Sequence, residues 1–271
     1  MILSLIIATY DQPEALAKVL QGVSLQAEQP DEILVADDGS TTSTADLIDS
    51  WAKKSRVPVR HVWQPDEGFR KNIILNSAVA LASGDYLVFL DGDCVPHRKF
   101  IADHRALAQR GYWVQGRRCF IREPFTNAFV PGECPVLQWA LRGRITRPFK
   151  CIRFPLPLVL RNRGQRGILG CNMAFWRDDV VAVNGFDEAY SGRGIGADSD
   201  LGSRIYNLGK KRKFVYGRAL VFHLDHPIMP RPNLEQSKAR LLEVLRTGRT
   251  RCERGLDQHG QSSAAPMLGS R

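Results

Sequence analysis

Two aspartates, Asp91 and Asp93, directly follow the apolar run of residues 86–90. A buried strand tolerates carboxylates only when they are paired or bound to a cation, so both are expected to leave the strand at its carboxyl end. Because one residue lies between them, their side chains point to the same side of an extended backbone, and Gly92 keeps that side open. Hard divalent cations take carboxylate and phosphate oxygens together. The spacing therefore predicts a site for a metal-bound diphosphate, and the alternative is an ordinary Asp-Gly turn.

The elements that must position this pair follow from the hydrophobic periodicity of the first 90 residues. Apolar runs predict strands at residues 2–8, 32–36, 57–63 and 85–90, and amphipathic spacing predicts helices at 13–25, 42–54 and 69–82. Strands that alternate with helices indicate an α/β fold with a parallel sheet covered by helices on both faces. Such sheets bind ligands at the carboxyl ends of their strands, where three further polar clusters lie. They are residues 9–11, 37–40 and 66–70.

After Gly111 the pattern is less regular. It predicts a strand at 112–119, a basic, Pro-rich stretch to 167, a strand at 168–176, helices at 177–183 and 198–208, an extended segment at 214–221 and an amphipathic basic helix at 234–245. The tail from Gly255 is rich in Ser, Gly and Ala, so we expect residues 255–271 to be disordered.

Composition limits the class of protein. The chain has 271 residues, 44% of them hydrophobic, which is enough for a substantial core. No run approaches the roughly 18 apolar residues of a membrane span, and the N-terminus lacks the basic flank of a signal peptide, so a cytoplasmic protein is expected. The six cysteines include no Cys-x-x-Cys pair, which favours reduced packing thiols over a zinc ribbon or a disulfide framework.

The net charge of +10 comes from one segment of the chain. Residues 110–170 contain twelve Lys or Arg against two acidic residues, interleaved with aromatic side chains such as Trp139, Phe149 and Phe154. This excess predicts an anionic partner, either a lipid headgroup or a phosphorylated glycan, and the alternative is a solvated surface without a partner. Nucleic acid is not expected, because the basic residues lie in a Pro-broken stretch without a recognition module.

Four motifs, in this order, resemble the family 2 glycosyltransferases of the GT-A fold. They are Ala8-Thr9-Tyr10-Asp11, Val35-Ala36-Asp37-Asp38-Gly39-Ser40, Gly68-Phe69-Arg70-Lys71-Asn72 with Asn76, and Leu90-Asp91-Gly92-Asp93. Two later blocks, at residues 185–190 and 196–201, look like the acceptor-side motif of the same enzymes. The resemblance covers residues 2–226 and implies a Rossmann-like, mostly parallel sheet flanked by helices.

The same resemblance divides the chain. It implies one GT-A domain at residues 1–226, with a C-terminal portion that binds the acceptor. Its parts are a nucleotide-sugar-binding half at 1–111, a basic insertion at 112–167 and an acceptor half at 168–226, followed by the basic helix within 227–254 and the tail.

The resemblance also places the nucleotide of a sugar donor, UDP by preference, across the first strand ends. Carboxylates there can accept hydrogen bonds from a base N–H and from ribose hydroxyls, although Asp37 and Asp38 could instead cap the following helix. Tyr10 offers a stacking face, and Arg70 offers a phosphate or ribose contact at a helix start. The implied donor-binding residues are Thr9, Tyr10, Asp11, Asp37, Asp38, Arg70, Asn72 and Asp91.

A divalent cation is the implied cofactor. By resemblance, Asp91 and Asp93 bind Mn²⁺ or Mg²⁺, which bridges the diphosphate and stabilises the charge on the leaving group. His223 or His226 is predicted to supply a third ligand, and the alternative is a structural histidine beside Pro227.

An inverting transfer needs a base that takes the proton of the acceptor hydroxyl. Asp198 aligns with the Asp of the family's Glu-Asp pair, while Ala197 stands in place of the Glu. This departure implies either a different acceptor or an inactive chain. Asp200 is the alternative base, or a helix cap. Gly192, Gly194 and Gly196 indicate a mobile loop over the substrates, because their position does not suit a nicotinamide site.

These features predict an inverting, metal-dependent glycosyltransferase that acts on a cell-surface glycan or lipid-linked saccharide, such as a lipopolysaccharide core. The protein is expected in the cytoplasm, in peripheral contact with the anionic inner face of the cell membrane. The alternative is a non-catalytic, polyanion-binding or scaffolding protein derived from a glycosyltransferase, which Ala197 and the basic segment would suit.

Overall fold

A computed structural model describes residues 1–133, 136–150, 152–154, 156–161, 165, 167–190, 192, 196–227 and 233–259. The loop glycine Gly194 and most of the predicted disordered tail, residues 260–271, lie outside these ranges. None of the helices in the described ranges is long and apolar enough to cross a membrane.

The first 91 residues form alternating strands and helices. The strands are β1 (Leu3–Thr9), β2 (Glu32–Asp37), β3 (Val59–Trp63) and β4 (Tyr86–Asp91), and the helices are α1 (Pro13–Ser24), α2 (Thr42–Ala52) and α3 (Lys71–Leu81). Every residue of β1 is buried, with Leu5 and Ile7 packed in one core cluster and Ile6 and Ala8 in another. Burial on both faces explains why this strand is continuously apolar. The predicted bounds of all seven elements agree with the structure to within two residues.

The rest of the chain adds shorter elements. They are β5 (Cys94–Pro96), α4 (Phe100–Leu107), β6 (Tyr112–Gln115), β7 (Arg117–Ile121), α5 (Glu123–Thr126), α6 (Val136–Leu141), β8 (Ile145–Thr146), β9 (Leu158–Arg161), β10 (Asn172–Trp176), α7 (Arg177–Ala182), α8 (Ala197–Asn207), β11 (Lys211–Tyr216), β12 (Leu220–Leu224) and α9 (Leu234–Thr247). Short 3₁₀ turns cover Pro148–Lys150 and Leu256–His259.

Two sheets organise the described strands. The large sheet has the order β3-β2-β1-β4-β10-β6-β11-β9, and the small sheet has the order β5-β12-β7-β8. The pairs among β1 to β4 are parallel, as is β6 with β11, whereas β10 runs antiparallel between β4 and β6. The prediction of a mostly parallel sheet flanked by helices is confirmed.

Two predicted single strands are each two strands in different sheets. The chain leaves the large sheet at Gly116, where a Cβ atom would lie 2.3 Å from Asn172 Nδ2 and 2.5 Å from the Ala219 carbonyl oxygen. It crosses again between β11 and β12 at Gly217, which has a φ of +76°. Only glycine fits both crossings, and hydrophobic periodicity alone does not detect them.

Two further expectations differ from the structure. The tail is ordered as far as His259, because the Leu256 N–H donates to the Asn184 carbonyl at 2.9 Å and Ser77 Oγ lies 3.0 Å from His259 Nδ1. Cys119 is disulfide-bonded, which differs from the reduced thiols that the sequence predicts. The other described cysteines, Cys94, Cys171 and Cys252, are free and buried.

Candidate active site

The carboxyl ends of the first strands meet at one edge of the large sheet. Thr9 of β1 is level with Asp37 of β2, and Ala8 is level with Asp91 of β4. Because β10 is antiparallel, its first residue, Asn172, is level with Leu90, so the residues that precede β10 reach the same edge. The register of the sheet therefore brings the polar residues at the strand ends together, as predicted.

The carboxylates of Asp37 and Asp38 are both engaged in the loops of this edge. Asp37 is fully buried, with Oδ1 accepting the Ser40 N–H at 2.9 Å and Oδ2 lying 2.9 Å from His61 Nε2. Asp38 accepts hydrogen bonds from Gln64 Nε2 at 2.6 Å and from the Arg70 N–H at 2.9 Å. Burial raises the pKa of Asp38 in spite of these donors. The hydrogen bond from the Ser40 N–H to Asp37 stabilises the loop before α2 but is not the helix cap offered as the alternative, because the N-cap residue is Thr41 and has no side-chain cap hydrogen bond.

Residues 9–11 form the neighbouring loop. Thr9 is buried, whereas Tyr10 is 37% exposed and donates its hydroxyl hydrogen to Asp66 Oδ2 at 3.0 Å. Asp11 has a φ of +45° and accepts a hydrogen bond from Thr41 Oγ1 at 2.7 Å. The Tyr10 ring is thus an aromatic surface at the strand ends, held by its hydroxyl group.

The start of α3 orients three consecutive polar side chains differently. The Arg70 guanidinium pairs with Glu67 at 2.8 Å and bonds to the Pro65 carbonyl. Lys71 Nζ instead lies 2.6 Å from Asp91 Oδ1. Asn72 is buried and donates to the Asp187 carbonyl at 2.7 Å, which ties the donor half to the acceptor-side block. The cation that meets the paired aspartates is therefore Lys71, which sequence analysis did not single out.

A cavity of about 590 Å³ lies at this edge of the sheet. Its ionisable lining comes from distant parts of the chain and includes Lys71, Asp91, Asp93, Arg118, Asp198, His223 and His226. The Gly92 N–H donates to the Ala8 carbonyl at 2.7 Å, which joins the paired aspartates directly to the end of β1. The cavity thus brings the predicted metal ligands and the predicted base together.

Both candidate histidines reach Asp93. Nε2 of His226 lies 3.1 Å and Nε2 of His223 lies 3.4 Å from Asp93 Oδ2. Burial raises the pKa of Asp93, but the hydrogen bond from His226 and the charge of His223 outweigh it and lower that pKa to about 2. The bond to Asp93 raises the pKa of His226 to about 9, whereas burial lowers the pKa of His223. His223, unlike His226, belongs to the group of possible ligand atoms around Asp93, so it is the better placed of the two.

The donor atoms around Asp93 fit a divalent cation. Ligand atoms of Asp93, Cys94 and His223 lie within 4.8 Å of one another, and Asp91 belongs to the adjoining group with Cys94 and Cys171. The set combines hard carboxylate oxygens and an imidazole nitrogen with the softer thiol of the buried Cys94. These residues could hold the cation implied by the Asp-x-Asp spacing.

Asp198 and Asp200, the two candidate bases, have different surroundings. Asp198 faces the cavity next to Gly170, where a Cβ atom would lie 2.1 Å from Asp198 Oδ2. Burial raises the pKa of Asp198, and the charge of Lys71 opposes that rise. Asp200 is fully buried and forms an ion pair with Arg204 at 2.6 Å. Of the two, only Asp198 lines the cavity.

Arg118 and Ser237 are among the other lining residues that the sequence did not predict. Arg118 on β7 enters the cavity with Nη1 3.4 Å from Cys171 Sγ, and period-two alternation places Phe120 on the same side. Ser237 on α9 closes the other end of the cavity near Gly196. The alternation was a usable signal for Arg118, whereas no local pattern marks Ser237.

The sequence is similar to those of known glycosyltransferases. Residues 4–155 match the model of glycosyl transferase family 2, and residues 159–227 match the N-terminal domain of galactosyltransferase. Validoxylamine A glucosyltransferase from Streptomyces hygroscopicus subsp. limoneus is 36% identical over 231 residues, which are 77% of this chain and 48% of the relative. The chain thus spans about half the length of this relative.

Solved structures show the same fold. A mannosyltransferase from Pyrobaculum calidifontis, in complex with GDP-Man and Mn²⁺, has a TM-score of 0.58 at 18% identity, covering 92% of this chain and 65% of that one. GalNAc-T7 with UDP, GalNAc and Mn²⁺ has a TM-score of 0.61 at 17% identity, covering 89% and 48%. These likenesses confirm the GT-A fold. Because the family model matches more than half of its length, the chain belongs to glycosyl transferase family 2 and is a glycosyltransferase.

Proposed function

We propose that the protein is an inverting, metal-dependent transferase that uses a nucleotide-diphosphate sugar, with UDP as the nucleotide. The observation that supports this most strongly is the meeting of Asp91, Asp93 and His223 with Asp198 in one cavity. The two structural neighbours described above contain Mn²⁺ with GDP-Man and with UDP, respectively. A divalent cation and a nucleotide therefore suit the fold.

On the donor side, Asp93 and His223 hold Mn²⁺ or Mg²⁺ and Asp91 lies next to them. When bound, the cation neutralises the diphosphate and the charge that grows on the leaving nucleoside diphosphate. Lys71 supplies a second positive charge at the same carboxylates. The loops of residues 9–11 and 37–40 bind the base and ribose, with Tyr10 as the stacking surface.

On the acceptor side, Asp198 is the general base. In its ionised form it takes the proton of the acceptor hydroxyl as the oxygen attacks the anomeric carbon from the face opposite the diphosphate, which inverts that centre. Lys71 favours the ionised form of Asp198, because its charge opposes the effect of burial. Ala197 stands beside the base where the family motif that this sequence resembles has Glu, and its smaller side chain suits an acceptor of a different shape.

We assign the acceptor to saccharides of the cell envelope, either a cell-surface glycan or a lipid-linked saccharide such as a lipopolysaccharide core. The support is the basic excess of residues 110–170, which lies in the chain between the donor and acceptor motifs. The location that follows is the cytoplasm, in peripheral contact with the inner face of the cell membrane.

A thermal-shift screen of nucleotide sugars, with and without Mn²⁺, tests the donor assignment. A true donor should raise the melting temperature only in the presence of the metal, because binding to the folded state alone stabilises it. Mixing the stabilising donor with cell-envelope saccharides should then give a product with an inverted anomeric centre by NMR. If no nucleotide sugar is bound or consumed, the non-catalytic polyanion-binding function replaces this proposal.

A further inference from the structure

The small sheet separates the candidate active site from an apolar groove. The groove has a volume of about 430 Å³, and its lining includes Val95, Phe129, Leu137, Ile152 and Phe222. Adjacent residues of a strand point to opposite faces, and here Phe222 lines the groove while its neighbour His223 lines the cavity. A ligand on the groove side therefore leaves the catalytic side open.

Large apolar side chains are exposed around this groove. Leu137 and Leu141 lie one helical turn apart on α6 and are 71% and 82% exposed. Ile152 shares the groove with Leu137, and α6 packs against the 3₁₀ turn that carries the exposed Phe149. Soluble surfaces rarely group such side chains without a binding partner. We call Leu137, Leu141, Phe149 and Ile152, together with the basic residues named next, the 137–152 face.

Positive charge surrounds these apolar side chains. Arg142, which is exposed, and Lys150, which is partly exposed, belong to this face, and neither forms an ion pair with an acidic side chain of the described ranges. The exposed Arg147 lies instead beside the cavity lining, with its guanidinium 5.7 Å from the ring centroid of Phe120. Other basic residues of the insertion are engaged elsewhere, since Arg118 lines the cavity and Arg153 pairs with Asp103 at 2.6 Å. The basic residues of the segment 110–170 thus serve different places: Arg118 lines the cavity, Arg153 forms an ion pair, and Arg142 and Lys150 lie on this face, where a partner can reach them.

We propose that the 137–152 face docks on a bilayer that contains anionic phospholipid. The leucines and Phe149 enter the boundary between headgroups and acyl chains, while Arg142 and Lys150 contact the phosphates. A soluble polyanion would satisfy the cations but would leave the apolar side chains in water. The docking surface rests on the membrane location proposed above and is independent of the transfer reaction.

Co-sedimentation of the full chain with vesicles tests this surface. Vesicles of equal parts phosphatidylglycerol and phosphatidylcholine should bind the protein, and pure phosphatidylcholine should bind it at least about tenfold more weakly, because each basic residue near an anionic surface contributes to attraction. High salt should weaken binding only in part, since the apolar contacts are not screened. Equal binding to both vesicles would overturn the proposal.

Matched variants assign the binding to this face. Leu137→Ser with Leu141→Ser, and separately Arg142→Ser with Lys150→Ser, should each lower vesicle binding about tenfold or more. The controls are Leu242→Ser with Leu245→Ser, which are exposed leucines of α9, and Lys211→Ser with Arg246→Ser, which are exposed basic residues elsewhere. These controls should bind like the wild type.

A third measurement separates failure of the fold from failure of the surface. Each variant should keep the wild-type melting temperature, and whatever donor stabilisation the wild type shows in Mn²⁺, because none of the substituted residues lines the cavity. If the folded variants of this face bind vesicles as well as the wild type, the face is not the docking site. If wild-type protein ignores both vesicles but binds a soluble polyanion such as heparin, the partner is not a bilayer and the proposal fails.

Discussion

Lys71 Nζ lies 2.6 Å from Asp91 Oδ1, and its charge also acts on Asp198. Burial lowers the pKa of Lys71, but these two carboxylates outweigh burial and raise it above the ordinary value. The ammonium group is therefore charged at every pH at which the protein would be assayed. The charge of Lys71 thus interacts both with a predicted metal ligand, Asp91, and with the proposed base, Asp198.

Replacing Lys71 should move the acid limb of the pH profile. Burial already raises the pKa of Asp198 and the charge of Lys71 opposes that rise, so Lys71→Met should raise the pKa further. Because the base works only when ionised, the rate should begin to fall at a higher pH than in the wild type. The measurement is kcat against pH with a saturating donor. Lys238→Met, which removes a lysine from the exposed pair with Glu235, is the control. If the acid limb does not move, Lys71 does not control the ionisation of the catalytic base.

Asp198→Asn should abolish proton removal with little change in shape. We expect turnover to fall by about 10²-fold or more while donor affinity stays close to that of the wild type, as loss of a general base does. Single-turnover kinetics and donor titration in Mn²⁺ distinguish the two effects. A variant with wild-type turnover would show that another group is the base.

Asp93→Ala should weaken binding of both metal and donor. Variants of the two histidines should differ, because ligand atoms of His223, Asp93 and Cys94 lie within 4.8 Å of one another and His226 is not part of this group. His223→Ala should reduce the stabilisation by Mn²⁺, and His226→Ala should retain most of it. Thermal shifts across a Mn²⁺ titration measure this, with Asp178→Ala, which removes an exposed carboxylate paired with Arg110, as the control. The reverse order of the two histidines would assign the metal to His226.

Arg204→Met should destabilise the fold. It leaves Asp200 buried without its partner, which costs about 3–5 kcal/mol. Burial raises the pKa of Asp200 and Arg204 opposes that rise, so the variant's Asp200 should titrate higher still. A group with a raised pKa in the folded state destabilises above that pKa, so the loss should shrink as the pH falls through it. Urea unfolding at several pH values checks this. Lys238→Met should change stability by about 1 kcal/mol at most.

The first half of the fold could be predicted because its signals are local. From β1 to β4, apolar runs and amphipathic spacing repeat without interruption, and each strand ends in polar residues. Helix α4 was missed because its buried residues include Asp103 and His104, which disguise an amphipathic helix. Asp103 is buried because it accepts hydrogen bonds from Arg153 and from the Ala219 N–H, both distant in sequence. No local pattern contains that information.

The candidate site was predictable to the same extent. Asp91 and Asp93 follow from their position at a strand end, and Asp198 follows from the motif. Lys71 lines the cavity and its neighbour Arg70 does not, because one step along a helix turns the side chain by about 100°. The contact of Arg70 with a phosphate or ribose stays a prediction. Ser237 could not be found, since only the packing of α9 brings it to the cavity.

The neighbouring residues Phe222 and His223 place two binding events on one strand. If docking at the groove changes the affinity of the cavity for its metal, the metal must change the affinity for the bilayer by the same factor, because coupling free energies are reciprocal. Vesicle binding with and without Mn²⁺ would then report on the active site without any turnover. If such coupling exists, the dependence of vesicle binding on Mn²⁺ measures the free energy that links the docking face to the candidate metal site.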